Sequence, residues 1–261
     1  MSDSERFTAP EPMGIQECCT APFPEEELRY LIATDRVETQ PTFDDLRRMA
    51  QHARLRPLID QRKDRIAPAP WKFEPDSRYH RDHDTLMMCN RLTEMFAEPD
   101  GITPFQNWLR IALEDAFVLG GTSVYIHRGS EKVFFRLMDF ASVGLIRDQH
   151  GNQPPLGAPF AAQMVGDEPI LLTVTELLYA VRHPREGMVY GESKLEMVAA
   201  LEHAESQSVL KESKDGAMFR VFEPLIGPVE EDREWVATQV IDELVERVFG
   251  ETNCRFRWKV D

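Results

Sequence analysis

The side chains best placed to do chemistry are those of His80-Arg-Asp-His-Asp84, two imidazoles three residues apart with two carboxylates between and beside them. On one helical face His80, Asp82, His83 and Asp84 could chelate a divalent ion, which would make the protein a metal-dependent enzyme. A metal site needs further ligands, and no other segment nominates them. As a kinase-type catalytic loop, His80-Arg81-Asp82 would supply the base, with Asp139-Phe140-Ala141 where a metal-binding Asp-Phe-Gly would follow. Position 87 is then Met rather than the Asn that holds a metal, and no Gly-rich phosphate loop precedes it. The segment is therefore read as a solvated, charged loop ahead of a helix over 86–96. Glu114 and Asp115 are a second candidate pair. Neighbours on a helix point about 100° apart, so these two carboxylates do not converge on one substrate atom. The chain has no GxxxxGK[ST], GxGxxG, GxSxG or HExxH. No catalytic, cofactor-binding or metal-binding residue is assigned, and the chain is expected not to be an enzyme.

Size and charge set further bounds. With 261 residues, 42% hydrophobic and 29% charged, the chain has the composition of an ordinary soluble globular protein. Folding at this length buries roughly 70–75% of the extended surface. No apolar run nears the roughly 18–20 residues that span a bilayer, and the acidic, Pro-rich start is not a signal peptide, so a cytosolic protein is expected. Cys18, Cys19, Cys89 and Cys254 lack CxxC spacing, which points to reduced, partly buried thiols. Forty-five acids against 30 bases leave a net charge of −15, which argues against a general nucleic-acid binder because such proteins need a cationic footprint.

These residues need elements to hold them. Pro10, Pro12, Pro22, Pro24 and Pro41 make 1–41 an irregular N-terminal arm. Thr42 caps a helix with Phe43, Leu46, Met49, Ala50 and Ala53 on one stripe. Pro57 opens a second, with Leu58, Ile59, Arg62 and Ile66 inward, ended by Ala67-Pro-Ala-Pro70. Trp71 and Phe73 alternate as a strand. Thr103 and Pro104 cap a helix carrying Phe105, Trp108, Leu109, Ala112, Ala116 and Leu119, stopped by Gly120-Gly121. A hairpin over 123–138 turns at Gly129-Ser-Glu, a third strand follows at 143–147, and Asp148-Gln-His-Gly-Asn152 turns the chain. Residues 152–172, with four prolines, read as loop, and 175–182 as a turn into a strand. Ser193 and Glu196 form a capping box for a helix to about residue 208. A long helix over 228–249, with Trp235, Val236, Val240, Leu244, Val245 and Val248 inward and acids in its first turn, precedes a strand at 254–259. The predicted fold class is α+β: mixed helices, small antiparallel sheets, and a long C-terminal helix followed by a strand.

The order of the segments carries a resemblance. Arg62-Lys63-Asp64 leads to Pro70-Trp71. Trp108-Leu109 leads to Glu114-Asp115, then Tyr125 and Arg128. After these come Glu176-Leu-Leu-Tyr179, Arg182, Pro184-Arg185, and Tyr190-Gly191 with Ser193 and Glu196. In that order they resemble the portal proteins of tailed bacteriophages and prophages, over most of 42–200. Glu223-Pro-Leu, the long helix and Phe249 to Trp258 resemble the family's last helix and strand. Lys194 departs from the proline usual there. The resemblance implies a portal-type wing domain and a cyclic homo-oligomeric ring at one capsid vertex, with DNA packaging, ejection and head-tail joining as its work. It also implies terminase, capsid and head-tail connector proteins as partners. By the same resemblance, double-stranded DNA is expected to pass through without sequence-specific binding. No cofactor and no membrane are expected, and the expected location is the virion or the host bacterial cytoplasm. Asp60, Arg62, Asp64, Glu114 and Asp115 are then the expected inter-subunit contacts, as charges on helices that otherwise have apolar faces.

One departure is large. In portals the helix after the Tyr-Gly motif leads into a stem, a clip and a second stem helix. Here about 17 residues separate Glu205 from Phe222, reaching about 60 Å extended or about 26 Å as helix. An excursion that must return halves those lengths, so no pair of stem helices fits. The expected organisation is an arm (1–41), a wing-like α+β core (42–200), a shortened junction (201–227), and a C-terminal helix and strand (228–261). A decayed prophage portal remnant without packaging activity is the alternative within the same lineage.

Overall fold

The computed structural model describes residues 41–130, 132–147, 154, 157–165, 168–184, 190–196 and 228–259. The N-terminal arm, the turn at 148–152, Arg185, the helix beyond Glu196 and the junction 201–227 lie outside them.

The fold is α+β: among the described residues, three small antiparallel sheets lie against a large apolar core and a smaller apolar cluster of Val143, Ala161, Leu172 and Leu177. Helix α1 (Phe43–Ala50) starts at a capping box: Thr42 Oγ1 accepts from Asp45 N while Asp45 Oδ2 accepts from Thr42 N, both at 3.1 Å. It ends before Ala53, which is exposed. Helix α2 (Arg56–Ile66) carries its proline in the first turn, where no amide donor is needed. It buries Ile59, Arg62, Lys63 and Ile66. Strand β1 (Trp71–Pro75) follows the Ala-Pro-Ala-Pro break.

Helix α3 (His83–Ala97) begins three residues earlier than the apolar pattern predicts, because Asp82 caps it. Its carboxylate accepts from Thr85 N at 2.9 Å and from Thr85 Oγ1 at 2.5 Å. Helix α4 (Phe105–Leu119) is the central element and buries nine of its side chains. Thr103 does not cap it. Instead Asp100 accepts from the Ile102 and Thr103 amides. Gly120, at φ 86°, ends the helix in the left-handed region.

Strands β2 (Gly121–Arg128) and β3 (Val133–Met138) form the expected hairpin, with Tyr125 opposite Arg136. A single 3₁₀ turn at Phe140–Ser142 leads into β4 (Val143–Leu145). This strand does not join the hairpin. It pairs with β5 (Ala161–Val165), which pairs with β6 (Glu168–Leu172), so the stretch read as loop contains a hairpin. Pro169 misled the reading. It lies in the outer strand of its sheet, where a residue without an amide donor is tolerated. Strand β7 (Leu177–Val181) completes the sheet β3-β2-β7.

The C-terminal rod is helix α5 (Glu230–Trp235), a π-helical stretch (Val236–Asp242) and helix α6 (Glu243–Phe249). Sequence periodicity predicts a single α-helix here, and the wider π winding in its middle is a correction. Asp242, at the end of that stretch, accepts from Phe256 N at 2.8 Å. This bond ties the rod to strand β8 (Cys254–Trp258), which pairs with β1 and sets Phe73 opposite Phe256. The aromatic centre of the core lies between these strands and the helices. Trp71 stacks on Phe256 (5.5 Å), Phe73 meets Phe96 (5.4 Å), and Phe96 stacks on Phe135 (5.0 Å). Trp108 Nε1 donates to Phe135 O at 2.8 Å, which satisfies its one polar atom.

Candidate functional site

The polar centre of the molecule is a buried charge cluster. Arg62 of α2, Arg182 just after β7, Lys194 and Asp232 of α5 are each more than nine-tenths buried, and Asp232 is wholly so. Arg62 Nε donates to Asp232 Oδ2 at 2.6 Å, and Arg62 Nη2 donates to Pro228 O at 2.7 Å. Arg182 Nη2 lies 2.6 Å from Asp232 Oδ1, an ion contact without hydrogen-bond alignment. Lys194 Nζ is 3.7 Å from the same oxygen. All three cations lie over one ring: Phe117 of α4 has its centroid 5.7 Å from Arg62, 6.0 Å from Arg182 and 5.6 Å from Lys194. Three cations thus share one buried carboxylate. Glu231, 4.0 Å from Arg182, is exposed and adds little. Burial pushes the Arg182 guanidinium below its ordinary range, and burial pushes the Lys194 amine down to about 7, against the pull of Asp232.

Backbone geometry explains why these segments meet. The last carbonyls of a helix lack intrahelical donors, and those of α4 are taken by distant residues. Lys194 N donates to Phe117 O (3.0 Å), Ser193 Oγ to Val118 O (2.6 Å) and Arg182 N to Gly120 O (2.8 Å). The Ser193 hydroxyl also accepts from Leu195 N, and Glu196 Oε1 from Ser193 N, which completes the cap. Gly191 makes the crossing possible. A Cβ there would sit 1.8 Å from Arg182 O and 2.2 Å from Gly120 O. His183, at φ 47°, turns the chain out of β7, and Pro184 bridges Gly191.

The residues expected at subunit contacts have partners inside the chain. Asp60 accepts twice from Arg56 (2.9 and 2.8 Å) and contacts Lys63 (2.9 Å). Glu114 pairs with Arg56 (2.5 Å) and Lys63, and Asp64 pairs with Arg110. These pairs tie α2 to α4. Arg62 lies in the buried cluster. Asp115 is half-buried beside a cleft of about 380 Å³ lined by Arg47, Arg48, Ala50, Gln51, Glu114 and Val118, and accepts from Phe140 N at 3.4 Å.

Burial pushes the Asp115 carboxyl up to about 6 from 3.8. Between those values the folded chain keeps a proton that the unfolded chain has lost. Stability therefore falls as pH rises through the window and stays lost above it. Asp115→Asn is expected to raise stability by up to about 3 kcal/mol at pH 8. The gain should vanish below about pH 4, as read from urea unfolding at both pH values.

His80 through Asp84 does not converge on a centre. Asp82 caps α3, His80 Nδ1 lies 2.7 Å from Ser77 O, and His83 and Asp84 are exposed on the first helical turn rather than in a loop. Among the described residues no three His, Cys, Asp or Glu side chains come together as metal ligands. Cys89 and Cys254 are free and buried. Among the described residues no helix is long and apolar enough to cross a membrane.

The remaining motif residues hold the frame. Lys63 is buried against Glu114, while Asp64 and Pro70 face outward. Trp71 and Trp108 sit in the aromatic core. Tyr125 lies opposite Leu177, Arg128 donates to Arg247 O (3.0 Å), Tyr179 stacks on Phe140 (4.7 Å), and Tyr190 meets Phe43 edge-on (4.9 Å). Asp232 is the residue that sequence reading missed, since it sits in an acidic run that suits the helix dipole. Its spacing was the available signal: Val229, Asp232, Val236 and Val240 share one helical face, and the other three are apolar.

No family model matches the chain, and no curated protein does. Solved structures do. The neck of an empty gene transfer agent particle with C6 symmetry contains a chain 13% identical, matched over 68% of this chain and 48% of that one, at a TM-score of 0.49. A chain from the virion of a native gene transfer agent particle is 12% identical over 72% of this chain and 51% of its own, with a TM-score of 0.48. The native neck with C12 symmetry gives 11%, 71%, 50% and 0.44. This chain spans about half the length of those it matches.

Proposed function

We propose that this chain is a portal-type structural subunit of a tailed-phage-like particle that keeps the outer wing and lacks the stem and clip. The observation that carries the reading is that four of the segments bearing the portal resemblance meet at one place. The Arg62 helix, the Trp108 helix through Phe117, Arg182 after the Tyr179 strand, and Tyr190-Gly191-Ser193 all meet at the Asp232 cluster. Segments that resemble a family only by chance have no reason to share a packing centre. The role is mechanical: a ring at a capsid vertex, joined head-to-tail through heterologous interfaces, docking terminase, capsid and connector proteins around passing DNA. It performs no bond chemistry. Asp60 and Asp64 keep enough exposure to reach a neighbouring subunit as well as their in-chain partners.

Native mass spectrometry and light scattering of the purified chain test the ring. Closed oligomers of fixed copy number are expected, weakened by Asp64→Lys. A monomer at every concentration sinks ring formation. The short stretch between Glu205 and Phe222 favours the second reading, a remnant that folds without packaging DNA. A co-packaging assay separates the two, and the shortened chain is expected to fail it.

A further inference from the structure

Cys89, in the middle of α3, and Cys254, at the start of β8, are distant in sequence and lie in the same apolar core, almost wholly buried. Cys254 Sγ donates to Thr85 O at 3.6 Å. Thr85 stands one turn before Cys89 on the same buried face of α3. A helical side chain leans back over the turn that precedes it, so the Cys89 thiol reaches toward the carbonyl that holds Cys254. The two thiols meet there as hydrogen-bond partners. Among the described residues no third His, Cys, Asp or Glu joins them as a metal ligand. Oxidation to each other is the chemistry that such a pair supports.

We propose that Cys89 and Cys254 form a redox-sensitive staple: a low-molecular-weight disulfide oxidises them to one intramolecular disulfide that joins α3 to β8. Cys254 closes the end of a two-stranded ribbon, a place where sheets open first. Uncovered by that opening, its thiolate attacks one sulfur of the oxidant, forming a mixed disulfide and expelling one thiolate. As the strand settles back, Cys89 gives its proton to solvent and attacks the Cys254 sulfur, expelling the second thiolate. Two protons and two electrons leave the pair, and the oxidant departs as two thiols. In the closed core, desolvation and the Cys254 thiol beside it push the Cys89 thiol up to about 12, which keeps it inert toward outside reagents. A reducing cytoplasm preserves both thiols, and an oxidising medium closes the bond. The inference depends neither on ring formation nor on the portal reading.

Oxidised glutathione tests it on the full-length chain carrying Cys18→Ser and Cys19→Ser, which leaves Cys89 and Cys254 as its thiols. In the folded chain the expected product has lost two hydrogens, and a non-reducing peptide map joins the Cys89 and Cys254 peptides. Its ratio to the double glutathione adduct is expected to be at least about tenfold higher than in concentrated urea, where the thiols no longer meet. Closing so long a loop is also expected to lower the unfolding equilibrium constant at least about tenfold, reversibly on reduction. A folded chain that keeps both thiols free, a product ratio equal to that in urea, or an oxidised chain no more stable than the reduced one overturns the proposal.

Discussion

Asp232→Ala is expected to leave the chain without a cooperative unfolding transition at 25 °C, or with a stability loss of at least about 4 kcal/mol. The carboxylate is completely buried and answers for three cations that are themselves buried. Removing one partner of a buried ion pair costs about 3–5 kcal/mol because the other charge stays desolvated. Here the orphaned charges are three, and domains of this kind have only about 5–15 kcal/mol to lose. Lys194→Met on the same background should recover part of the loss by removing one stranded cation, a coupling that a double-mutant cycle measures. A single-variant loss under about 1 kcal/mol, read from urea unfolding, would mean that the cluster is solvated and contradict its burial.

Gly191→Ala comes next in size. The added methyl would lie 1.8 Å from Arg182 O and 2.2 Å from Gly120 O, which are backbone atoms of two different segments rather than flexible side-chain tips. To make room, the end of β7 must part from the end of α4, and the Arg182 N to Gly120 O bond (2.8 Å) goes with it. A loss of more than about 3 kcal/mol is expected. Gly157→Ala is the contrasting case. Its φ is positive (93°), unlike that of Gly191, and nothing lies within 4 Å of the new atom, so it costs only the backbone penalty of about 1 kcal/mol. Equal urea midpoints for the two variants would refute the close crossing at Gly191.

Local rules made most of the frame legible. Thr42 with Asp45, Pro57, the Ala-Pro-Ala-Pro break and Gly120 each act on their own neighbours, and each element they bound is present. The alternation around Phe73 and around Phe256 predicted two strands, though not that they pair with each other across the chain. The errors fall where tertiary position overrides local preference. Pro169 is acceptable only because its strand is outermost, and the π stretch at Val236–Asp242 has the same apolar spacing an α-helix would show. The buried cluster was legible in pieces. Arg62 and Arg182 stood out as motif residues, but burial of a charge depends on a partner 50 or more residues away. No window on the sequence places Asp232 beside them.

Strand β8 lies against β1, and Lys194 lies against Asp232. The two flanks of residues 195–231 therefore arrive at a common doorway, already fastened. For a polymer tethered at both ends, doubling the intervening contour adds only about 0.6 kcal/mol of closure cost. Changes in the length of chain between those flanks are therefore expected to leave the surrounding architecture standing.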